Sequence, residues 1–430
     1  MPRWPAVLLL AVTGLAAQQP PDAARDSSHV ARVLALLETS DSTVCELAGQ
    51  AISNGWGFSW EPRLLPTPMP MPMPTPMPMP MAMHRGYRSH VRMHVHRGPH
   101  WDGEEAGWLG AFRAVLRDDN RCVRNIAARV LGRARTPKSY DAFLALLRDD
   151  NPGLRETGAL GLGELDDRRA LRPLQDALRD RDAGVRAMAA RGVGDLEDSS
   201  SVAPLTTALG DAAAPVRQTA AWALGEIESP QAIAPLSQAL HDRAPEVRAM
   251  AAWALGQIES PRAVPVLGEA LRDASPDVRR AAVWALGQIE DQDAVDLLLP
   301  LLRDREAQVR VAATHALGQI ESPRAVRGLG ALVHDESPDV RRAAIWALGQ
   351  IEDGGAVDAL SAALKDPEPQ TRELAAWALG QVEDAAAVDP LAGALKDREP
   401  DVRIAAAWAL GQIESSRALE PLKAALQDES

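Results

Sequence analysis

The sequence predicts an all-α fold, a right-handed α-solenoid built as a superhelical stack of two-helix repeats with a 31-residue period. Three observations predict it. Gly132, Gly163, Gly194, Gly225, Gly256, Gly287, Gly318, Gly349, Gly380 and Gly411 recur without insertion or deletion from about Glu104 to Glu414, each preceded by Leu or, once, Val. Arg124, Arg155, Arg186, Arg217, Arg248, Arg279, Arg310, Arg341, Arg372 and Arg403 keep the same step. Within each unit the apolar residues fall on two helical faces separated by a turn. A fixed period of roughly 20 to 50 residues marks stacked units, each too small to bury its apolar face alone. The length of 430 residues would otherwise suggest two or three globular domains, but a stack grows without enlarging a central core, so one elongated array is expected.

Residues 261–290 show the elements of one unit. Val264, Leu267 and Leu271 are spaced i, i+3, i+7 and share one face of a first helix. Val278, Ala282, Ala285, Leu286 and Ile289 do the same for a second. Ser275-Pro276 reads as an N-cap followed by proline at the first helical position, where its missing N–H is harmless, and Ser260-Pro261 opens the first helix in the same way. Upstream, residues 28–52 read as a degenerate N-terminal cap repeat, with Val44 and Cys45 in the Val-Arg columns. The array itself covers residues 104–430, and residues 416–428 supply a first helix without its partner, a closing half repeat.

The motif D-x5-R followed by AA-x-ALG-x-I resembles the HEAT repeats, in the short bacterial class first noticed in phycobilisome lyases, over about three quarters of the chain. Asp273 and Arg279 carry it here, and the aspartate recurs at Asp118, Asp149, Asp180, Asp211, Asp242, Asp304, Asp335, Asp366 and Asp397. The resemblance implies that these residues form a structural ladder between successive units and that the second helices line a concave side. The planar fork of arginine suits a carboxylate in its own turn and another next door.

Counting about 100° per residue, Trp284 and Gln288 fall about 240° and 280° round from Val278, away from the helix-pair core. The tryptophan recurs at Trp222, Trp253, Trp346, Trp377 and Trp408, with His315 in the one missing place, and Gln257, Gln288, Gln319, Gln350, Gln381 and Gln412 form a parallel column. The resemblance places both columns in the inner groove. Indole rings repeating at about 8–10 Å, each with an amide beside it, suit an extended peptide or protein segment. The competing reading is that each indole lies on the neighbouring second helix and seals it. The position of Arg280 varies freely, as Glu156, Ala249, Val311, Arg342, Glu373 and Ile404 among others, the pattern of fixed anchors with variable neighbours.

The N-terminus has the form of a secretory signal over residues 1–17: Arg3, an apolar run from Ala6 to Val12, then small residues Gly14, Ala16 and Ala17. The expectation is a secreted or periplasmic protein with no stable membrane insertion. An oxidising compartment would allow the two cysteines, Cys45 and Cys122, to pair if their Cβ atoms come within about 4.5 Å; otherwise they are two quiet thiols. The net charge of −13 is carried by residues 105–430, with 38 Lys and Arg against 51 Asp and Glu, which argues against nucleic acid as a partner. Residues 62–101, by contrast, hold five arginines and no acid.

Those residues belong to a low-complexity insertion, 53–103, in which alternating proline forbids helix and sheet ladders. Its thioethers, Met79, Met81 and Met83 among them, are soft ligands, and His90, His94 and His96 would share one side of an extended chain. Copper or zinc handling is the alternative function these donors suggest; a solvated linker is the plainer one. No histidine is followed by glutamate, and the H-E-x-x-H, G-x-S-x-G and phosphate-loop patterns are missing. The expectation is a non-enzymatic scaffold without a resident cofactor, although oxidoreductases and lyases exist among HEAT-like proteins.

Overall fold

The computed structural model describes residues 107–426. The signal segment, the cap repeat over 28–52 and the insertion over 53–103 lie outside the described residues. Every regular element among those described is helical. They divide into two compact units, one ending at Ile227 and one beginning at Glu228.

In the first unit, the helices run α1 (Gly107–Ala114), α2 (Arg121–Ala134), α3 (Pro137–Leu146), α4 (Pro152–Glu164), α5 (Leu171–Ala177), α6 (Ala183–Asp195), α7 (Val202–Ala208) and α8 (Ala214–Glu226). The second holds α9 (Ile233–Ala239), α10 (Pro245–Gln257), α11 (Val264–Ala270), α12 (Pro276–Ile289), α13 (Ala294–Leu298), α14 (Ala307–Ile320) and α15 (Val326–Ala331). It continues with α16 (Pro338–Ile351), α17 (Val357–Ala363), α18 (Pro369–Val382), α19 (Val388–Ala394), α20 (Pro400–Gln412) and the closing α21 (Leu419–Leu426). Odd-numbered helices are the short first helices of each repeat and even-numbered ones the longer second helices.

Each first helix packs on the second helix of its own repeat. The second helices pack side by side along their lengths, α2 to α8 in one unit and α10 to α20 in the other, whereas first helices touch one another sparsely. The apolar faces read from sequence are the buried ones: Val264 and Leu267 on α11 and Leu271 just past its end, with Val278, Ala282, Ala285, Leu286 and Ile289 on α12.

Close approach of the second helices depends on the glycine column. A Cβ placed on Gly318 would stand 2.8 Å from Cζ3 of Trp346 and 3.0 Å from Cα of Ala347 on the next second helix. No side chain fits there, so glycine is retained inside a helix at a propensity cost of about 1 kcal/mol. At Gly411, on the last second helix, nothing lies within 4 Å.

The turn between the two helices differs from the expectation in its capping. Pro276 does occupy the first helical position, but Ser275 makes no side-chain cap, and neither does Ser260. The aspartate two residues earlier bonds the cap residue itself: Oδ1 of Asp273 accepts the Ser275 main-chain N–H at 2.8 Å. The same bond recurs from Ala213 to Asp211, Ser337 to Asp335 and Glu399 to Asp397. The repeated carboxylate therefore shapes the turn of its own repeat and at the same time serves a neighbour.

That neighbour is the arginine of the preceding repeat. Arg279 donates from Nε and Nη2 to the two carboxylate oxygens of Asp304, both at 2.8 Å, and from Nη1 to the main-chain carbonyls of Asp273 and Ala274. Arg155–Asp180, Arg186–Asp211, Arg248–Asp273 and Arg372–Asp397 repeat the two-pronged geometry. The ladder implied by the sequence is present, with one correction. Within its own turn the arginine meets carbonyl oxygens rather than a carboxylate, because the aspartate side chain is turned toward its own helix start. The first rung departs further: Arg124 Nε reaches Thr157 Oγ1 at 3.3 Å, while Asp149 pairs with Arg117 at 2.7 Å.

Every second helix ends in a residue with left-handed backbone, and none of the ten is glycine: Arg135, Asp166 and eight glutamates, Glu197 to Glu414, with φ between 48° and 54°. Left-handed backbone costs a residue bearing a Cβ about 1 kcal/mol or more, which is why glycine usually ends helices in this way.

Candidate functional site

The second helices expose one narrow face. On α12 the positions left partly accessible after Pro276 are Asp277, Arg280, Ala281, Trp284 and Gln288; the others down to Ile289 are buried. The spacing of Arg280, Trp284 and Gln288 at i, i+4, i+8 puts them in one stripe along the helix. Because the repeats carry no insertions, the equivalent stripes of α10, α14, α16, α18 and α20 are built from the same columns.

The tryptophans are neither free-standing nor entombed. Trp253, Trp284, Trp346, Trp377 and Trp408 are half-buried, and Trp222 is buried at 7% exposure with the Arg191 guanidinium 5.6 Å from its ring centre. Each of Trp284, Trp346, Trp377 and Trp408 rests the Cζ3 edge of its ring over the glycine of the preceding second helix, Gly256, Gly318, Gly349 and Gly380. One edge is thus packing, while the residue as a whole stays partly accessible. Trp253 and Trp284 stack with ring centres 6.2 Å apart and an 11° tilt.

Where His315 replaces tryptophan, the amide of Gln319 takes over the glycine: its Oε1 lies 2.8 Å from where a Cβ on Gly287 would stand. The His315 ring tilts against Trp346 at 5.0 Å, and burial lowers its pKa. Gln319 and Gln412 are exposed, and Gln257, Gln288, Gln350 and Gln381 half-exposed. An amide in this setting presents two N–H donors and a carbonyl acceptor.

The variable column beside the indoles is charged at several repeats and linked to its surroundings. Arg280 pairs with Asp277, and Arg342 with Asp339 and with Glu368 of the next repeat. Glu373 has a raised pKa, first through burial and then through the charge of Asp401 on the following second helix. Ile404 ends the column, exposed.

Beyond the glutamines stands the left-handed glutamate column, Glu259, Glu290, Glu321, Glu352, Glu383 and Glu414 in the second unit, all exposed. Sequence reading passed over it, because a glutamate in a polar turn carries no conformational signal of the kind glycine does. The charge of the chain is correspondingly uneven. Residues 105–227 hold 18 Lys and Arg against 18 Asp and Glu, whereas residues 228–430 hold 20 against 33. The second unit, which holds five of the six tryptophans of the column, therefore also holds the excess of negative charge.

The metal-ligand candidates Met79, Met81, Met83, His90, His94 and His96 lie outside the described residues. Cys122, beside the N-cap Asn120 of α2, is disulfide-bonded, and Cys45, the other cysteine of the sequence, lies outside the described residues. No helix among the described residues is long and apolar enough to cross a membrane.

Comparison with known proteins gives a consistent fold. A search of curated proteins finds no match. Among solved structures, Kap95p, from a study of how its binding switches the loops of RanGDP, aligns at 14% identity and a TM-score of 0.58, covering 97% of this chain and 62% of that one. An engineered protein aligns at 22% identity over 71% of this chain and 99% of its own, with a TM-score of 0.46. The CpcE–CpcF complex of phycocyanin lyase from Nostoc sp. PCC7120 aligns at 23% identity over 59% and 97%, with a TM-score of 0.35. The family model for HEAT repeats matches five overlapping stretches, 110–187, 172–247, 233–307, 295–368 and 357–430. Matched without a break from residue 110 to the last, through the same columns of glycine, arginine and aspartate that hold its helices together, the chain belongs to the HEAT-repeat family.

Proposed function

We propose that the protein is an exported, non-enzymatic scaffold that binds a protein or an extended peptide in a concave groove lined by its second helices. HEAT-repeat stacks are interaction scaffolds, and Kap95p, which has this fold, binds RanGDP. The observation that carries the reading is the repetition, helix after helix, of a half-exposed indole with an amide one turn further along. An extended chain needs both: apolar plates for its side chains, and donors and acceptors for its main chain. Closer packing of the second helices than of the first supports their forming the inner layer. Export rests on the N-terminal sequence, and N-terminal sequencing of the mature protein tests it.

The test of binding is capture from an exported-protein fraction by the intact chain and by two variants. Trp284→Ala with Trp346→Ala should lose the partner but also uncovers Gly256 and Gly318. Gln288→Ala with Gln350→Ala removes surface amides only and should weaken capture with helicity unchanged. An identical partner list from both variants would remove the proposed groove.

A second reading, copper or zinc handling, is supported by the alternating thioethers and imidazoles of the insertion. Titration of Cu(I) and Zn(II) into the intact chain tests it, and binding no tighter than about millimolar would end it.

A further inference from the structure

We propose that the tryptophan-bearing face of the second unit is a docking surface for a segment of this same chain, residues 62–101, which holds the groove until a competing ligand displaces it. This rests on the binding face described under Proposed function and names its resident occupant.

Three features of the face and the segment agree. The first is charge. The segment carries five arginines and no acid, while the second unit holds the whole excess of negative charge. The glutamate column places part of that excess at a fixed step just past the end of each second helix. Glutamate is kept in a backbone conformation that favours glycine, at Glu259, Glu352, Glu383 and Glu414 among others, and strain of that kind often accompanies a side chain in use.

The second is register. Alternating proline forbids helix and sheet ladders over residues 66–80, and a polyproline-type segment advances about 9.3 Å per turn of three residues. Neighbouring second helices lie about 8–10 Å apart. One side of such a segment therefore meets one repeat per turn, and three successive turns match Trp346, Trp377 and Trp408 on consecutive second helices. The third is contact chemistry. Every third residue along the tract alternates between proline and methionine, as in Pro70, Met73, Pro76 and Met79. A proline ring lies flat on an indole, and a thioether packs at its edge. The arginines that follow, Arg85, Arg88, Arg92 and Arg97, supply the positive charge that complements the exposed glutamates.

The experiment is calorimetric titration of a synthetic peptide of residues 62–100 into the intact chain and into a chain lacking those residues, whose helicity is checked first. We expect micromolar binding to the shortened chain and at least about tenfold weaker binding to the intact one, where the site is filled. Affinity for the shortened chain should fall about tenfold as salt is raised severalfold, because the contacts are largely ionic. Glu352→Gln with Glu383→Gln in the shortened chain should weaken the peptide several-fold. No binding at about 0.1 mM peptide, equal affinity for both chains, or indifference to the two substitutions would each overturn the proposal. Loss of this inference alone is recognisable, because an outside partner would still be captured in a manner sensitive to Gln288→Ala and Gln350→Ala. Were that sensitivity missing too, the underlying binding face would fall with it.

Discussion

At Gly318 and Gly411 the same residue in the same column answers to opposite constraints. A methyl group at Gly318 would press on the Trp346 ring and on the backbone of the next second helix. Gly318→Ala should lower stability by about 1–3 kcal/mol, overpacking outweighing the gain in helix propensity. At Gly411 the same change meets open space, and Gly411→Ala should raise stability by up to about 1 kcal/mol. Denaturant midpoints of the two variants against the parent decide this, and two shifts of the same sign would show that contact across the repeat does not govern the column. The left-handed glutamates give a companion expectation. Glu352→Gly relieves backbone strain at φ 52° and should stabilise by up to about 1 kcal/mol, less the entropy glycine adds to the unfolded chain. A drop in midpoint would mean that the Glu352 side chain contributes more than its backbone loses.

At the scale of the element, the ladder joins one second helix to the turn that begins the next. The Arg279 fork reaches two carboxylate oxygens of Asp304 and two carbonyls of its own turn. A lysine offers one point charge in place of that fork. Arg279→Lys should therefore destabilise by about 1–3 kcal/mol, with the larger losses for Arg279→Ala, which leaves Asp304 partly buried without its hydrogen-bonded cation. Stability should also fall in acid, and the sign follows from the carboxylates. Hydrogen bonds from Arg186, Arg248 and Arg372 hold Asp211, Asp273 and Asp397 below the ordinary carboxylate range. At Asp304 burial pushes upward, but Arg279 and the Glu306 main chain outweigh it. Groups depressed in this way stabilise the fold above their unfolded pKa of about 3.9 and lose that contribution as pH drops further. His315, lowered by burial, works in the same direction from about pH 6.5 downward. Denaturant midpoints from pH 7 to pH 3 should show a shallow decline and then a steep one below about pH 4; a flat profile would mean that the ladder adds nothing to stability. How much of this was legible in the sequence depended on repetition. Arg279 and Asp273 announce a ladder by recurring, and the buried faces of α11 and α12 follow from spacing alone. Capping was misread because Ser275 has the right chemistry in the right place, yet its hydroxyl makes no cap bond and it is its own N–H that is held, by Asp273 two residues earlier. The indoles could not be settled as packing or surface from their angle on the helix, since Trp284, Trp346, Trp377 and Trp408 each set one edge on a glycine and yet stay only half-buried.

For the whole molecule, the consequence of a nearest-neighbour architecture is that stability is a sum over adjacent repeats rather than a property of one core. The second unit begins at a repeat boundary, contains six second helices and carries every ladder rung it needs internally, from Arg248–Asp273 to Arg372–Asp397. A stack of roughly three or more repeats is enough to bury a continuous core. Residues 228–430 made alone should therefore fold to a helical, cooperatively melting protein, although they hold fewer than half of the chain's residues. Residues 228–290, two repeats, should give a largely unfolded chain by the same argument. Circular dichroism with a denaturant titration of both fragments tests the pair of expectations. If residues 228–430 were a coil in isolation, the packing and ladder rungs internal to this unit would be insufficient, and the stability of the array could no longer be assigned to adjacent repeats.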